Sequence, residues 1–366
     1  MSRRKRIWFI GQCPPPMHGQ SIYNERMASG LSQIGALIRL PLGGSTFGKI
    51  WRAILNPLLL LVGLRNGDIV YSSLPGQNGI WFFLPTALAL RLRRIRFYTH
   101  HHSYRAIALG PLPALKLLGS LSDGYATHIL LSEKMRDQYQ ALYRVNSRER
   151  FLCLPNAALF SHPTAAVPPR REGAPVAGHL SVITADKGAP YLLELWKDYI
   201  AQGGRGKLVL AGPIPDAELR HEVEVAVDRS DGRIRWLGPI SGTKKQSFFE
   251  EIDLLILPTK LVDEADPLVL LEAYSAGAAV FAPDRGCIRS RLISDQWLMT
   301  MDLSSDLPSL HERMKDVVNA RNHLPDQMHS HAQRLQNAAE DDAVSFLSEF
   351  DVTADEARAI LRNMRS

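Results

Sequence analysis

Short apolar runs alternate along this chain with longer stretches whose apolar positions recur every three or four residues. Residues 6–11, 38–42, 68–72 and 95–99 form such runs and predict buried strands. Between them, 22–31, 49–64 and 80–92 carry the helical period. The same rhythm restarts further on, with strands predicted at 178–183, 207–212, 234–240, 253–258 and 279–283 and a helix running through Leu192, Leu193 and Trp196. From 305 the chain is helical and acidic. Alternating strands and helices predict an α/β fold of parallel sheets with helices on both faces. Ligands of such sheets bind beyond the carboxyl ends of the strands.

Residues 161–176 are rich in Pro and Ala and have no period, which marks a linker. The expected layout is therefore a first domain over 1–160, the linker, a second domain over 177–345, and C-terminal helices over 346–366. A chain of 366 residues can build two such cores.

Composition narrows the class. Hydrophobic residues make up 45% and charged residues 22%, as in soluble globular proteins. Cys13, Cys153 and Cys287 are too few and too scattered for a disulfide framework or a zinc site. The basic start is followed by an apolar core of only Ile7 to Ile10, shorter than the roughly 7–15 residues of a signal peptide, and is expected to be a first buried strand. The most apolar stretch, 54–64, is broken by Asn56 and Pro57 and falls short of the about 20 residues that span a bilayer. A cytoplasmic protein is expected.

Charge is unevenly spread. Residues 1–175 carry 22 Lys and Arg against 7 Asp and Glu, a net of +15, and the remainder is net −9. The basic half points to an anionic partner: lipid headgroups, a pyrophosphate-linked acceptor or nucleic acid. Arg91, Arg93, Arg94 and Arg96 interleave with apolar residues, and Lys49, Arg52 and Arg65 have similar surroundings. On amphipathic helices these would lie against an anionic membrane. No nucleic-acid reading motif is present, so nucleic acid is not expected as a partner.

The most distinctive stretch is 264–277, EADPLVLLEAYSAG. It reads as a loop entering a helix, with Pro267 near the first turn. A helix N-terminus suits a phosphate. Glu264 in the loop and Glu272 just over one turn in would accept hydrogen bonds from sugar and ribose hydroxyls. The segment resembles the E-x(7)-E signature of retaining GT-B glycosyltransferases of family 4. Other segments resemble that family in order: the Pro-rich loop 12–20, the histidines 100–102 past a strand end, the 129–137 and 151–157 steps, Lys187-Gly188, and the 207–212, 234–240 and 279–283 strands.

The resemblance implies a GT-B fold, two Rossmann-like domains facing each other across a cleft, with the last helix returning to the first domain. Ala357 to Met364 is the segment expected to make that return. It implies transfer of a sugar from a nucleotide-sugar with retention of configuration. Glu272 would hold the ribose, Glu264 the donor sugar, and Lys187 with the N–H groups near Leu268 and Val269 the diphosphate. Gly188 belongs to the same loop. Pro239 and Ile240 would meet the base, His18 and Gly19 the donor phosphate, and His101, or as second choice His102, the sugar.

No metal or other cofactor is expected, and the Asp263–Asp266 cluster is assigned to the Glu motif rather than to a cation. One departure stands out. Val182 occupies the place of the family arginine that shares the diphosphate with the lysine, leaving His18 or Lys260 as substitutes. The acceptor is expected to be a saccharide, lipid-linked and reached from the inner face of a membrane. The alternatives are a degenerate nucleotide-sugar-binding protein without turnover and a GT-B relative acting on a soluble substrate, such as a sugar-nucleotide epimerase.

Overall fold

The computed structural model describes residues 5–14, 19–43, 45–76, 78–143, 148–160 and 173–365. The chain divides into two compact units, Met1–Ser161 with Gln336–Ser366, and His162–Leu335. Most of the expected linker lies outside the described residues.

The first unit runs β1 (Arg6–Ile10), α1 (Gly19–Ile34), β2 (Ala36–Leu40), α2 (Thr46–Gly63), β3 (Ile69–Ser73) and α3 (Gly79–Leu92). It continues through β4 (Phe97–His100), α4 (Arg105–Ala108), α5 (Pro113–Ser122), β5 (Ala126–Leu130), α6 (Glu133–Tyr143) and β6 (Arg150–Cys153). All six strands are parallel, in the order β2-β1-β3-β4-β5-β6. The direction of winding reverses between β1 and β3, which places a ligand-binding crevice beyond their carboxyl ends. Right-handed crossovers put α1 on one face of the sheet and α2, α3 and α5 on the other. Accordingly, α2 packs on α3 and α3 on α5.

β2 begins and ends two residues before the 38–42 expected from the apolar pattern. The Ala36 N–H bonds the Lys5 carbonyl at 2.8 Å and sets the register Arg6↔Ala36. Pro41 has no N–H with which to extend the ladder. A slip of two preserves which face each side chain takes.

The second unit runs β7 (Val176–Leu180), α7 (Ala189–Ala201), β8 (Lys207–Ala211), α8 (Ala217–Asp228), β9 (Ile234–Trp236) and α9 (Gly242–Glu251). It continues through β10 (Leu254–Ile256), α10 (Leu268–Ser275), β11 (Ala279–Pro283), α11 (Ile288–Arg291), β12 (Leu298–Met299) and α12 (Leu303–Asn319). The order β12-β11-β10-β7-β8-β9 is again parallel throughout, with its switch point between β7 and β10. Trp196, Phe248 and Phe281 fill its core. His179 on β7 is fully buried. One ring nitrogen, Nδ1, meets the Ile256 carbonyl at 2.9 Å and the other the Ser181 hydroxyl at 2.8 Å, tying β7 to β10. Burial lowers its pKa to about 4, so it is neutral at pH 7.

The chain then enters α13 (Leu324–Ser348) and α14 (Ala354–Arg365). From Gln336 onward it belongs to the first unit. Phe346 and Phe350 pack edge-on against Tyr98. Met364 fills the notch left by Gly30 on α1, and Arg365 bonds the Ala158 carbonyl at 2.8 Å. The last helix thus returns to the first unit, as the resemblance implies.

Candidate functional site

The carboxyl ends of β7 and β10 carry two loops that interlock. Gly188 sits at φ +81°, and a Cβ there would lie 1.9 Å from the Pro258 carbonyl oxygen. The Lys260 N–H donates to the Asp186 carbonyl at 2.7 Å. This contact brings Lys187, on the β7 loop, to Glu264, on the β10 loop: Nζ and Oε2 are 2.5 Å apart. The Thr259 hydroxyl donates to the same carboxylate oxygen at 3.1 Å. Glu264 is buried, and a buried carboxylate needs such partners.

Alanine at position 188 meets both the left-handed backbone and the backbone clash. Gly188→Ala is expected to cost at least about 3 kcal/mol of stability in the second unit. This would show as a fall of roughly 6–12 °C in its thermal midpoint. An unchanged midpoint would mean the two loops can separate freely.

The segment after Glu264 is fixed by a buried ion pair, Asp266 with Arg291, at 2.8 and 3.1 Å. The Cys287 N–H donates to the Ala265 carbonyl at 2.6 Å. Pro267 is the N-cap of α10, with Leu268 and Val269 opening the helix, where the N–H groups have no intrahelical acceptor. The apolar run that follows is largely buried, and Gly277 ends it in the left-handed conformation.

Glu272, at the fifth helical position, keeps a half-buried carboxylate. Lys245 on α9 holds it at 2.5 Å. Pro239 and Ile240 lie in the turn just before α9, at the same edge of the sheet, with Pro239 exposed. Val182 follows β7 and is 51% exposed, an apolar side chain standing open at a polar edge. Lys260 lies over the Tyr191 ring, 5.4 Å from its centre.

The second unit therefore gathers Lys187, Gly188, Glu264, Pro267, Leu268, Val269 and Glu272 at one switch point. Lys245 joins them, although nothing in its own surroundings in the sequence singles it out. The cluster 263–266 divides between Lys187 and Arg291. Among the described residues, no group of three or more His, Cys, Asp or Glu side chains is placed to hold a metal ion.

The first unit holds the remaining residues. His18 lies outside the described residues. Gly19 opens α1 with open space where a side chain would be. His100, His101 and His102 follow one another at the end of β4. His101 is 4% exposed and shares a 2.9 Å hydrogen bond between its Nε2 and His128 Nδ1. His102 stacks obliquely on His100, ring centres 4.0 Å apart, and its Nε2 has no hydrogen-bond partner among the described residues. Burial drives all three pKa values down, His102 to about 3, and neighbouring histidines add to the fall for His100 and His101. The three rings are neutral at pH 7.

Beyond the ends of β1 and β3 lies a cavity of about 130 Å³ lined by Gln12, Gln20, Lys49, Arg52, Asn56 and Ser73 among others. Gln20 bridges the Ser73 hydroxyl and the Leu74 carbonyl, each at 3.0 Å.

Comparison with known proteins separates fold from family. Residues 174–310 match the family model described as glycosyl transferases group 1, a span that contains every residue of the second-unit site named above. No curated protein sequence matches the chain. HepE from Anabaena, solved in complex with UDP, is 14% identical over 94% of this chain and 100% of its own, with a TM-score of 0.67. The fold is GT-B. Sucrose-phosphate synthase from Thermosynechococcus elongatus is 15% identical over 94% of this chain and 99% of its own, with a TM-score of 0.67. The lipopolysaccharide outer core galactosyltransferase WaaB is 16% identical over 90% and 99%, with a TM-score of 0.60. At these identities the likeness concerns architecture. No helix among the described residues is long and apolar enough to cross a membrane.

Proposed function

We propose that the protein is a retaining glycosyltransferase of family 4 type, moving a sugar from a nucleotide-sugar to a saccharide acceptor. The observation that carries the proposal is the pairing of Lys187 with Glu264 and of Lys245 with Glu272 at the second unit's switch point. Each carboxylate is held in place by a lysine, with lone pairs left for hydroxyl donors. Each lysine has further N–H groups to turn toward a phosphate.

In this proposal Glu272 binds the ribose and Glu264 the sugar. Lys187 and the first N–H groups of α10 stabilise the charge that develops on the leaving diphosphate. No metal ion is required for this. Pro239 and Ile240 border the base. Solved complexes of HepE with UDP and UDP-glucose support a nucleotide-sugar donor. For the histidine that the resemblance assigns to the sugar, His102 is better suited than His101, because its Nε2 is not already bonded.

The cavity of the first unit, with Lys49 and Arg52 in its wall, suits an acceptor that carries phosphate as well as sugar. A lipid-linked saccharide in cell-surface or exopolysaccharide assembly has that chemistry, and the activity of WaaB on lipopolysaccharide supports it. A second reading, nucleotide-sugar binding without turnover, is favoured by Val182 at the arginine position.

The test is a thermal-shift panel with UDP-, GDP- and ADP-sugars on wild type and Glu272→Ala. Glu272 and Lys245 are partly exposed, so their pair contributes at most about 1 kcal/mol and the variant should fold. One nucleotide series is expected to raise the wild-type midpoint, as ligand binding to the folded state must. The variant should lose that response. A midpoint unmoved by every donor at millimolar concentration would sink the proposal, and a shift with no sugar transfer to any acceptor would favour the second reading.

A further inference from the structure

The α2 helix keeps its charged residues, Lys49 and Arg52, on the side that lines the cavity of the first unit. Its inward side carries Asn56, Pro57 and Leu60, all buried. On the outward side Phe47, Trp51, Ile54, Leu58 and Val62 recur at helical spacing, with Phe47 80%, Trp51 55% and Val62 89% exposed. The neighbouring helix α3 does the same: Trp81, Leu88 and Leu92 are exposed along one side, while Phe83, Ala87 and Leu90 are buried. A water-facing helix normally carries charged residues there. Here two adjacent helices present apolar residues instead, and a contiguous apolar patch of this kind marks an interaction surface.

Charge identifies the occupant. Arg65 follows α2, and Arg94 and Arg96 follow α3; all three are exposed. Lys116 is exposed on α5, beside Leu117, which is 43% exposed. Apolar side chains ringed by cations, with two tryptophans among them, match the headgroup region of an anionic bilayer. The described helices cannot span it, so α2 and α3 would lie in its plane.

We propose that the outward faces of α2 and α3, with their arginine rim, dock the protein on an anionic lipid surface. The inference does not depend on sugar transfer. It gives the basic first half a physical role, and Lys49 and Arg52 on α2 place the polar cavity of the first unit beside that surface.

The experiment is co-sedimentation of the full chain with phosphatidylcholine vesicles, with and without phosphatidylglycerol. Binding is expected only to the mixed vesicles, and half-molar salt should weaken it at least several-fold. Phe47→Glu with Trp51→Glu alters exposed positions only and is expected to lower partitioning at least tenfold with an unchanged thermal midpoint. Arg65→Glu with Arg94→Glu should lower it less. As an independent reading, tryptophan fluorescence of the wild type should shift to the blue and be quenched by bromine-labelled lipid. No sedimentation and no quenching would overturn the proposal. So would a salt-insensitive dimer abolished by the Phe47/Trp51 variant without any vesicle binding, since the face would then cover a second copy of this chain.

Discussion

Replacing Lys187 by alanine is expected to lower kcat/KM for sugar transfer by about 10²–10³, the usual loss when one preorganised donor to a developing charge is removed. Two features put the effect at the upper end. Val182 stands where the resemblance would place a second cation, so on the proposed function Lys187 acts without that support. Lys260, the nearest substitute by sequence, rests on the Tyr191 ring.

The same substitution strips a buried carboxylate of its charged partner, leaving Glu264 with the Thr259 hydroxyl. Breaking one side of a buried pair costs about 3–5 kcal/mol, so a drop in activity alone would be ambiguous. The double variant Lys187→Met with Glu264→Gln, set against Glu264→Gln alone, separates the two effects. It removes both charges, and its thermal midpoint should recover most of the loss. Its activity should not recover. If activity returned with stability, Lys187 would be a structural residue and the proposed role in the transition state would be wrong.

How much of this was legible beforehand depends on the range of the interaction. The helices 49–64 and 80–92 and the first strand are local patterns, and the structure places them within a few residues of expectation. Lys187, Glu264 and Glu272 came forward because the motifs they resemble, Lys-Gly and E-x(7)-E, are local in sequence. Lys245 and Arg291 were not visible. Each acquires its meaning from a carboxylate about 25 residues away, and exposed lysines and arginines are common on any helix.

The orientation of the histidines was equally hidden. Past the end of β4 the strict alternation of faces stops, so position alone could not show that His101 turns toward His128 while His102 stays beside His100. For α2 the apolar content was plain, but in a helix with apolar residues on most of its sides periodicity does not say which side meets the core. That the outer side is apolar too emerges only from the packing of α2 on α3.

Acid is expected to destabilise the first unit well before its carboxylates titrate. His100 and His101 are buried, and burial holds both pKa values well below the ordinary 6.5. In the unfolded chain each takes up a proton as the pH falls through about 6.5. In the folded unit they stay neutral to a much lower pH. The unfolded state then binds more protons, so stability is full above 6.5 and is lost as the pH falls toward the folded values. Each such histidine removes about 1.4 kcal/mol per pH unit in that window. His102, held near 3 by burial, adds to the loss, so the first unit gives up a large part of the roughly 5–15 kcal/mol that holds a domain together.

Glu25 and Glu349 are held below the ordinary carboxylate range by hydrogen bonds from Arg39 and Arg150, so their contribution is lost at lower pH than this. Thermal melts from pH 7.5 to 5.0 should show a midpoint falling by at least about 8 °C, with nearly all the change below pH 6.5. The slope, rather than the midpoint, identifies the cause. His101→Asn removes one of the partners of His128, whose Nδ1 also meets the Thr99 hydroxyl at 3.1 Å, and is expected to be less stable at every pH. Between pH 5 and 6 its stability should nonetheless fall less steeply than wild type, by about 1.4 kcal/mol per unit. An unchanged slope would mean that His101 takes up its proton in the folded unit as readily as in the unfolded chain, and that the buried ring does not govern acid stability.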